Sequence, residues 1–403
     1  MFAAVLSVVS GIALVLVDPG VASAQAQEGS WRATGALNQA RLAQESVLLA
    51  DGRVLVTGGR TATAALTSAE LYSPITETFT LTGAMATSRW SHTATYLPTV
   101  GKVLVAGGFT GFVPGSNSQA VTNTAELYDP ATGTWTPAAP MNRPRALHNE
   151  ALLDDGRVLI AGGRTCTAPP PTPCNFAVRS NEAEVYDPAT NTWTGINPMN
   201  AFRHTTTAGK LHDGRVLIPG GFSTPPPDAN STDRTADLFT VGTWHPTGLM
   251  VHGRARQGAM VLHDNRVVVG PGSRETICGP PVCQNGGPPF SAVIQTTTEI
   301  YNPATNTWSF ADNIDFPFSR FNFHYGVLPN GKAVVAGGQF FVNQSTQGII
   351  RDSHIYDPAT NDWINTSPLN DPHGTPGGVS NSERMVILSA SPWSYVADPA
   401  VCG

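Results

Sequence analysis

Six arginines recur at one place in a repeating pattern: Arg41, Arg89, Arg145, Arg203, Arg254 and Arg320. An acid recurs later in five of the same units, as Glu70, Glu126, Glu184, Asp237 and Glu299. Six guanidinium groups on one rim would attract an anionic ligand. One Arg and one acid per unit would equally make a structural ion pair. Three residues past each Arg the residue type changes from unit to unit: Gln44, His92, His148, Thr206, Gln257 and Phe323. A position that varies inside a regular repeat is a candidate for ligand contact. His92 and His148 occupy this position in adjacent units and could share a ligand or a metal, although such isolated histidines commonly serve only as hydrogen-bonding groups. His324 and His373 complete the candidate pocket mouth, His373 standing where a seventh Arg would fall. Cys166 and Cys174 bracket one Pro-rich stretch, and Cys278 and Cys283 another; each pair can close a local disulfide loop. Neither pair has the accompanying His or carboxylate cluster that metal ligation would need, and Cys402 is left over. Neither a G-x-S-x-G elbow, nor H-E-x-x-H, nor a phosphate-binding loop occurs. No cofactor, no metal and no catalytic residue is expected from these motifs.

The elements that must position these residues are strands. An apolar run closed by Gly-Gly appears as RVLVTGG ending at Gly59, KVLVAGG at Gly108, RVLIAGG at Gly163, RVLIPGG at Gly221 and KAVVAGG at Gly338, with a degenerate RVVVGPG at Gly272. AELYSP, AELYDP, AEVYDP, ADLF, TEIYNP and SHIYDP follow in turn, and then an aromatic residue: Phe79, Trp135, Trp193, Trp244, Trp308 or Trp363. Each unit therefore reads as four strands, a to d: a begins near the Arg, b is the apolar run, c carries Glu-Leu-Tyr and d carries the Trp. Valine-rich runs suit strands buried on both faces, and the Gly pair permits close backbone approach.

This recurrence of Gly-Gly, Tyr and Trp resembles the kelch repeat family over essentially the whole chain after its first segment. The resemblance implies an all-β fold, a β-propeller. Counting from both ends gives a seven-bladed kelch β-propeller. Six units are complete, and RMVILSA (384–390) and WSYVADP (393–399) read as a last b and c strand. The missing d strand is expected at the other end, in SWRATGAL with Trp31, so the last blade would be closed by the N-terminal strand and no sheet edge would stay open. Connections a–b and c–d are tight (ADGR, DDGR, HDGR, PNGK), whereas the b–c connections on the opposite face are long, 109–124, 164–182, 222–235, 273–296 and 339–351. They carry Phe109, Phe112, Phe176, Phe290, Phe340 and Phe341, which would either stack on a ligand or pack the loops down.

The chain is also similar to the propeller domain of galactose oxidase. That resemblance would imply a copper site with a Tyr-His pair at a strand start. The corresponding stretch here is SRFNFHYG, with Asn322-Phe323 or Phe323-His324 in place of the pair, so the phenol is missing. Kelch-like sialic acid mutarotases suggest a sugar isomerase as another enzymatic reading.

Composition bounds the rest. The 403 residues include 40 Gly and 33 Pro but only 13% charged residues, which suits short strands and turns. The net charge is -6 without a basic tract, so no nucleic-acid partner is expected. Phe2 to Val17 is apolar and Ala22-Ser23-Ala24 follows, so residues 1–24 read as a signal peptide and 25–403 as the propeller. The expectation is a secreted or periplasmic monomer, without membrane insertion once the signal is cleaved. It would bind a glycan or protein, non-catalytically, through the long b–c loop face. A carbohydrate-active enzyme using the central pocket, whether a mutarotase or a diverged galactose-oxidase-like protein, is the alternative.

Overall fold

The computed structural model describes residues 35–369, apart from 62, 113–118, 167–177, 223–231, 278–289, 296, 312–319, 321–322, 329, 342–346 and 367, and the short strand pair at 4–5 and 15–16. Every element among them is a strand. Trp31, His373, the 384–390 run, Cys174, Cys278, Cys283 and Cys402 lie outside the described residues, as do the side chains of His324, Phe290 and Phe341.

Six four-stranded antiparallel sheets follow one another along the chain. The first is built from Glu45–Leu48, Val54–Thr57, Ala69–Ser73 and Thr78–Leu81. The second comprises Thr93–Leu97, Lys102–Ala106, Ala125–Asp129 and Thr134–Ala138. The first strands of the remaining four are Asn149–Leu152, Gly209–Lys210, Gly258–Val261 and His324–Val327. In each sheet the strands pair in chain order, and the first strands of successive sheets lie against one another. This arrangement is consistent with a kelch β-propeller whose inner strands surround an axis.

The sequence pattern explains the layering. The second strands, such as Val54–Thr57 and Val158–Ala161, are buried along their whole length because a sheet packs on either face. Third- and fourth-strand aromatics stand directly opposite in register, Tyr128 with Trp135 and Tyr186 with Trp193. Their rings are 5.0 Å apart in both cases, a tilted contact that adds to the burial of two large side chains. The indole N–H then reaches the preceding sheet: Trp135 Nε1 donates to the Gly83 carbonyl at 2.7 Å and Trp193 Nε1 to that of Ala139 at 2.8 Å.

The Gly-Gly pair joins neighbouring sheets. Gly107 and Gly108 have φ of 67° and 101°, and the Gly108 N–H donates 2.8 Å to the carbonyl of Arg145, at the start of the next sheet. A Cβ on Gly107 would sit 2.4 Å from that same carbonyl oxygen, so no side chain fits. The long b–c connections are not loose excursions. Phe109–Phe112 pairs with Gln119–Val121, Gly272–Ile277 with Phe290–Gln295, and Gln339–Phe341 with Gln347–Ile349. Strand pairing carries these connections beyond the sheets, a feature that their Pro-rich, polar sequences had hidden.

Candidate functional site at the axis

The repeated arginines are inside the protein. Arg41, Arg89, Arg145, Arg203, Arg254 and Arg320 are all essentially inaccessible to solvent. Arg89 donates to the carbonyls of Gly107 (2.7 Å) and Thr124 (2.9 Å) and to the Glu126 carboxylate (2.9 Å). Glu126 in turn accepts the backbone N–H groups of Ala86 and Thr87. Arg41–Glu70, Arg145–Glu184, Arg203–Asp237 and Arg254–Glu299 repeat the pair. Arg and acid thus clamp strands two and three to the turn that enters each sheet. The sixth sheet has His354 at the acid position, and burial lowers the Arg320 pKa to about 10.

Two residues past these arginines the backbone enters the left-handed region at Ala43, Ser91, Leu147, Thr205 and Arg256, with φ from 49° to 58°. Non-glycine residues rarely adopt it, and clusters of such residues mark over-determined, often functional, regions. Their peptide groups form a hydrogen-bonded chain across the sheets. Ser91 N–H donates to Ala43 C=O (3.0 Å), Leu147 to Ser91 (3.1 Å), Thr205 to Leu147 (3.5 Å) and Arg256 to Thr205 (2.8 Å).

The varying position comes next, and its residues turn back toward the preceding sheet. His92 Nε2 is 2.8 Å from Thr57 Oγ1, and His148 Nε2 is 3.0 Å from Thr93 Oγ1. Gln257 Nε2 donates to Thr206 Oγ1 and to the Pro219 carbonyl, both at 2.7 Å. Phe323 meets Tyr325 edge-on at 5.9 Å, and Gln44 is wholly buried. Burial holds His92 and His148 far below the usual histidine range, and the neighbouring Arg89 and Arg145 reinforce this, so both are neutral.

One cavity opens between these inner strands. Its wall includes His92, His148 and Thr206 from the candidate set, and Glu45, Asn149, Glu150 and Thr207 besides. Gln44, Gln257 and Phe323 are not part of it. Glu45 is only 6% exposed. Burial, and then the Glu150 carboxylate, raise the Glu45 pKa well above the ordinary range. Burial raises Glu150 to about 7, against hydrogen bonds from the Thr95 hydroxyl and the Ala94 N–H. Tyr325 reaches over from the sixth sheet and donates its hydroxyl to Thr207 at 3.0 Å. It can cross because residue 258 is glycine: a Cβ there would lie 2.6 Å from the Tyr325 ring. Burial raises the phenol's pKa further, and Glu45 and Glu150 add to the effect. Glu45 and Glu150 in the cavity wall, and the buried Tyr325 whose phenol they influence, were missed in the sequence. Their signal was an acid on an inner strand, ESVL and NEAL, in a chain poor in charge.

Aromatic side chains form a second feature. Trp90 stacks with Phe109 (5.4 Å) and Phe112 (5.5 Å), and the Arg60 guanidinium lies 5.9 Å from the Phe112 ring centre. Arg256 covers Phe222 at 5.3 Å. Phe109 is buried, whereas Phe112 is 44% exposed. Cys166, in the same apolar cluster as Trp90, is disulfide-bonded. Among the described residues no group of three or more His, Cys, Asp or Glu side chains is arranged around a metal position, and no helix is long and apolar enough to cross a membrane.

Residues 101–142 and 150–200 match the kelch motif, which coincides with the second and third sheets described above. These two stretches thus carry kelch repeats. It is 30% identical over 174 residues to Kelch-like protein 26 of Danio rerio, covering 43% of this chain and 26% of that protein. It is 25% identical over 285 residues to Kelch-like protein terF of Aspergillus terreus (strain NIH 2624 / FGSC A1156), covering 68% of this chain and 56% of the relative. The kelch-repeat chain therefore spans only part of the length of these curated relatives. Among solved structures it is similar to YjhT, with a TM-score of 0.58 and 14% identity over 82% of this chain and 99% of that one, a likeness of fold.

Proposed function

We propose that this kelch propeller is an exported, non-catalytic module that binds a protein partner through the face carrying the long b–c connections. The observation that carries the reading is the Trp90–Phe109–Phe112 stack capped by Arg60, since Phe112 leaves a large apolar ring in the open beside a guanidinium. Aromatic and Arg side chains on a rigid support are the usual anchors of protein interfaces. The glycan reading uses the same rings for stacking on sugar faces. Seven blades remain the proposed count, with residues 25–34 and 370–403 completing the last one. Export is supported by the 2–24 pattern and by the Cys166 disulfide, for which Cys174 is the proposed partner.

The test begins with affinity capture by the purified chain from its host's exported fraction. Direct binding of the captured protein is then compared for wild type, Arg60→Ala and Phe112→Ala. Each variant is expected to bind at least about tenfold more weakly. Equal affinity in both would remove this face from the interface. A glycan-array signal abolished by Phe112→Ala would move the reading from protein to sugar.

A further inference from the structure

The base of the third sheet's long connection carries two arginines face to face. Arg164–Thr165 pairs with Val178–Arg179, and Arg164 stands directly opposite Arg179 in the antiparallel register. Residues directly opposite one another point to the same face of a sheet, and like charges placed so weaken the pairing. The backbone around them is nevertheless fixed. Thr165 Oγ1 donates to the Pro144 carbonyl at 2.7 Å, the Ser180 N–H donates to that of Gly163 at 2.9 Å, and Cys166 is disulfide-bonded. Two cations are thus held side by side on a rigid base.

A third arginine joins them from the entry of the fifth sheet. The Arg256 N–H donates to the Thr205 carbonyl at 2.8 Å, and its guanidinium lies 5.3 Å from the centre of the Phe222 ring. His204 packs against the same ring at 5.2 Å and is only 8% exposed. Burial holds the His204 pKa well below the usual histidine range, and Arg179, Arg164 and Arg256 lower it further. All three guanidiniums therefore act on one neutral imidazole, although they come from two different sheets. Each of the three arginines is half-buried, so each keeps a side open to a ligand.

We infer that Arg164, Arg179 and Arg256 form a site beside His204 for a tetrahedral oxyanion, a phosphate or sulfate group. A guanidinium is a planar fork that suits paired anionic oxygens. Three forks present more N–H donors than the oxygens of one carboxylate can accept, whereas a phosphate or sulfate offers three or four acceptor oxygens and up to two charges. Stacking on Phe222 orients the Arg256 fork before the anion arrives, and the strand register does the same for the backbone of Arg164 and Arg179. The anion offsets the cross-strand repulsion, so its binding stiffens the base of the 164–179 connection. The recognition chemistry is the same for a free dianion and for a monoester on a larger ligand. None of these residues belongs to the Trp90–Phe112 stack, so this site and the proposed protein-binding surface can fail separately.

The experiment titrates the full chain with sodium sulfate and with sodium phosphate by calorimetry, at constant ionic strength with chloride as the balancing ion. One site per chain is expected, with a Kd of about 1 mM or below. The His204 ring resonances, identified by their loss in His204→Gln, should shift in step with the heat. Arg164→Gln/Arg179→Gln and, separately, Arg256→Gln are expected to weaken sulfate at least about tenfold. Arg157→Gln, at an exposed turn of the opposite face, should leave it unchanged. Circular dichroism checks folding, and should the double variant not fold, Arg256→Gln and the His204 resonances decide. Phenyl phosphate distinguishes the two sources: tighter binding than inorganic phosphate assigns the site to a group carried on a larger ligand, equal or weaker binding to the free ion. The site is refuted by the absence of heat with both anions, by His204 signals that do not move, or by full affinity in Arg256→Gln. Acetate binding as tightly as sulfate would overturn the tetrahedral assignment.

Discussion

Glu150 shows how much a single residue's setting governs its chemistry. It is an ordinary strand residue by type, yet burial lifts its pKa from 4.5 to about 7. Its folded pKa lies above its unfolded one, so its contribution to stability is complete below pH 4.5 and is lost as pH rises through about 7. Discounted for the partial exposure of the side chain, the loss is about 2 kcal/mol. His92 and His148 act with the opposite sign, since their folded values are depressed and protonation on acidification destabilises the fold. The two effects separate in a comparison of wild type with Glu150→Gln by urea unfolding from about pH 5 to 8. The stability gap is expected to move in favour of Gln as pH rises; a gap that is constant with pH would contradict the assignment. Gly258 offers a steric counterpart. Gly258→Ala drives a methyl into the Tyr325 ring, 2.6 Å away, and is expected to cost about 1–3 kcal/mol. In a Tyr325→Ala background the same substitution should cost almost nothing, which a double-mutant cycle reads directly.

Within an element, the unit of stability is the Arg–acid clamp. Arg89 and Glu126 tie the entry turn of the second sheet to its second and third strands. Removing one partner leaves a buried charge, so Arg89→Met is expected to cost about 3–5 kcal/mol. The pair Arg89→Met/Glu126→Leu should cost clearly less than the sum of the single changes. Additive costs in chemical denaturation would mean that the two groups are not coupled. The repeating Arg and acid were legible from spacing alone as either a cationic rim or an internal pair. The choice between them rests on the burial of the guanidiniums, because a sequence shows which residues recur but not which side of a turn faces water.

At the scale of the whole molecule, the sheets are held by groups that belong to two units at once. The Gly108 N–H bonds to Arg145, the Trp193 indole bonds to Ala139, and the left-handed residues pass a peptide hydrogen bond from sheet to sheet. Gly107→Ala strikes this seam, with a Cβ 2.4 Å from the next sheet's carbonyl and φ of 67°. A loss of about 3 kcal/mol or more is expected, felt by both flanking sheets. Hydrogen exchange should show faster opening in the second and third sheets together; a change confined to one would mean that the seam is not shared. The proposed closure of the ring by the terminal segments belongs to the same scale. Deletion of residues 25–40 is expected to lower Tm, and an unchanged Tm would argue against a last sheet completed from the N terminus.

The strand order, the fourfold division of each unit and the stacked aromatics follow from the sequence alone. Each depends on alternation, turn residues and spacing within about fifty residues, which are local properties. Where side chains from distant units meet was decided only by the tertiary structure. Glu45, Glu150 and Tyr325 come from the first, third and sixth sheets, and nothing in their own segments brings them together. The varying residues beside them looked like the ligand-facing set, yet His92, His148 and Gln257, one residue before the inner strands, hydrogen-bond back onto the preceding sheet. A strand has two faces, and only packing around the axis determines which of them borders the cavity.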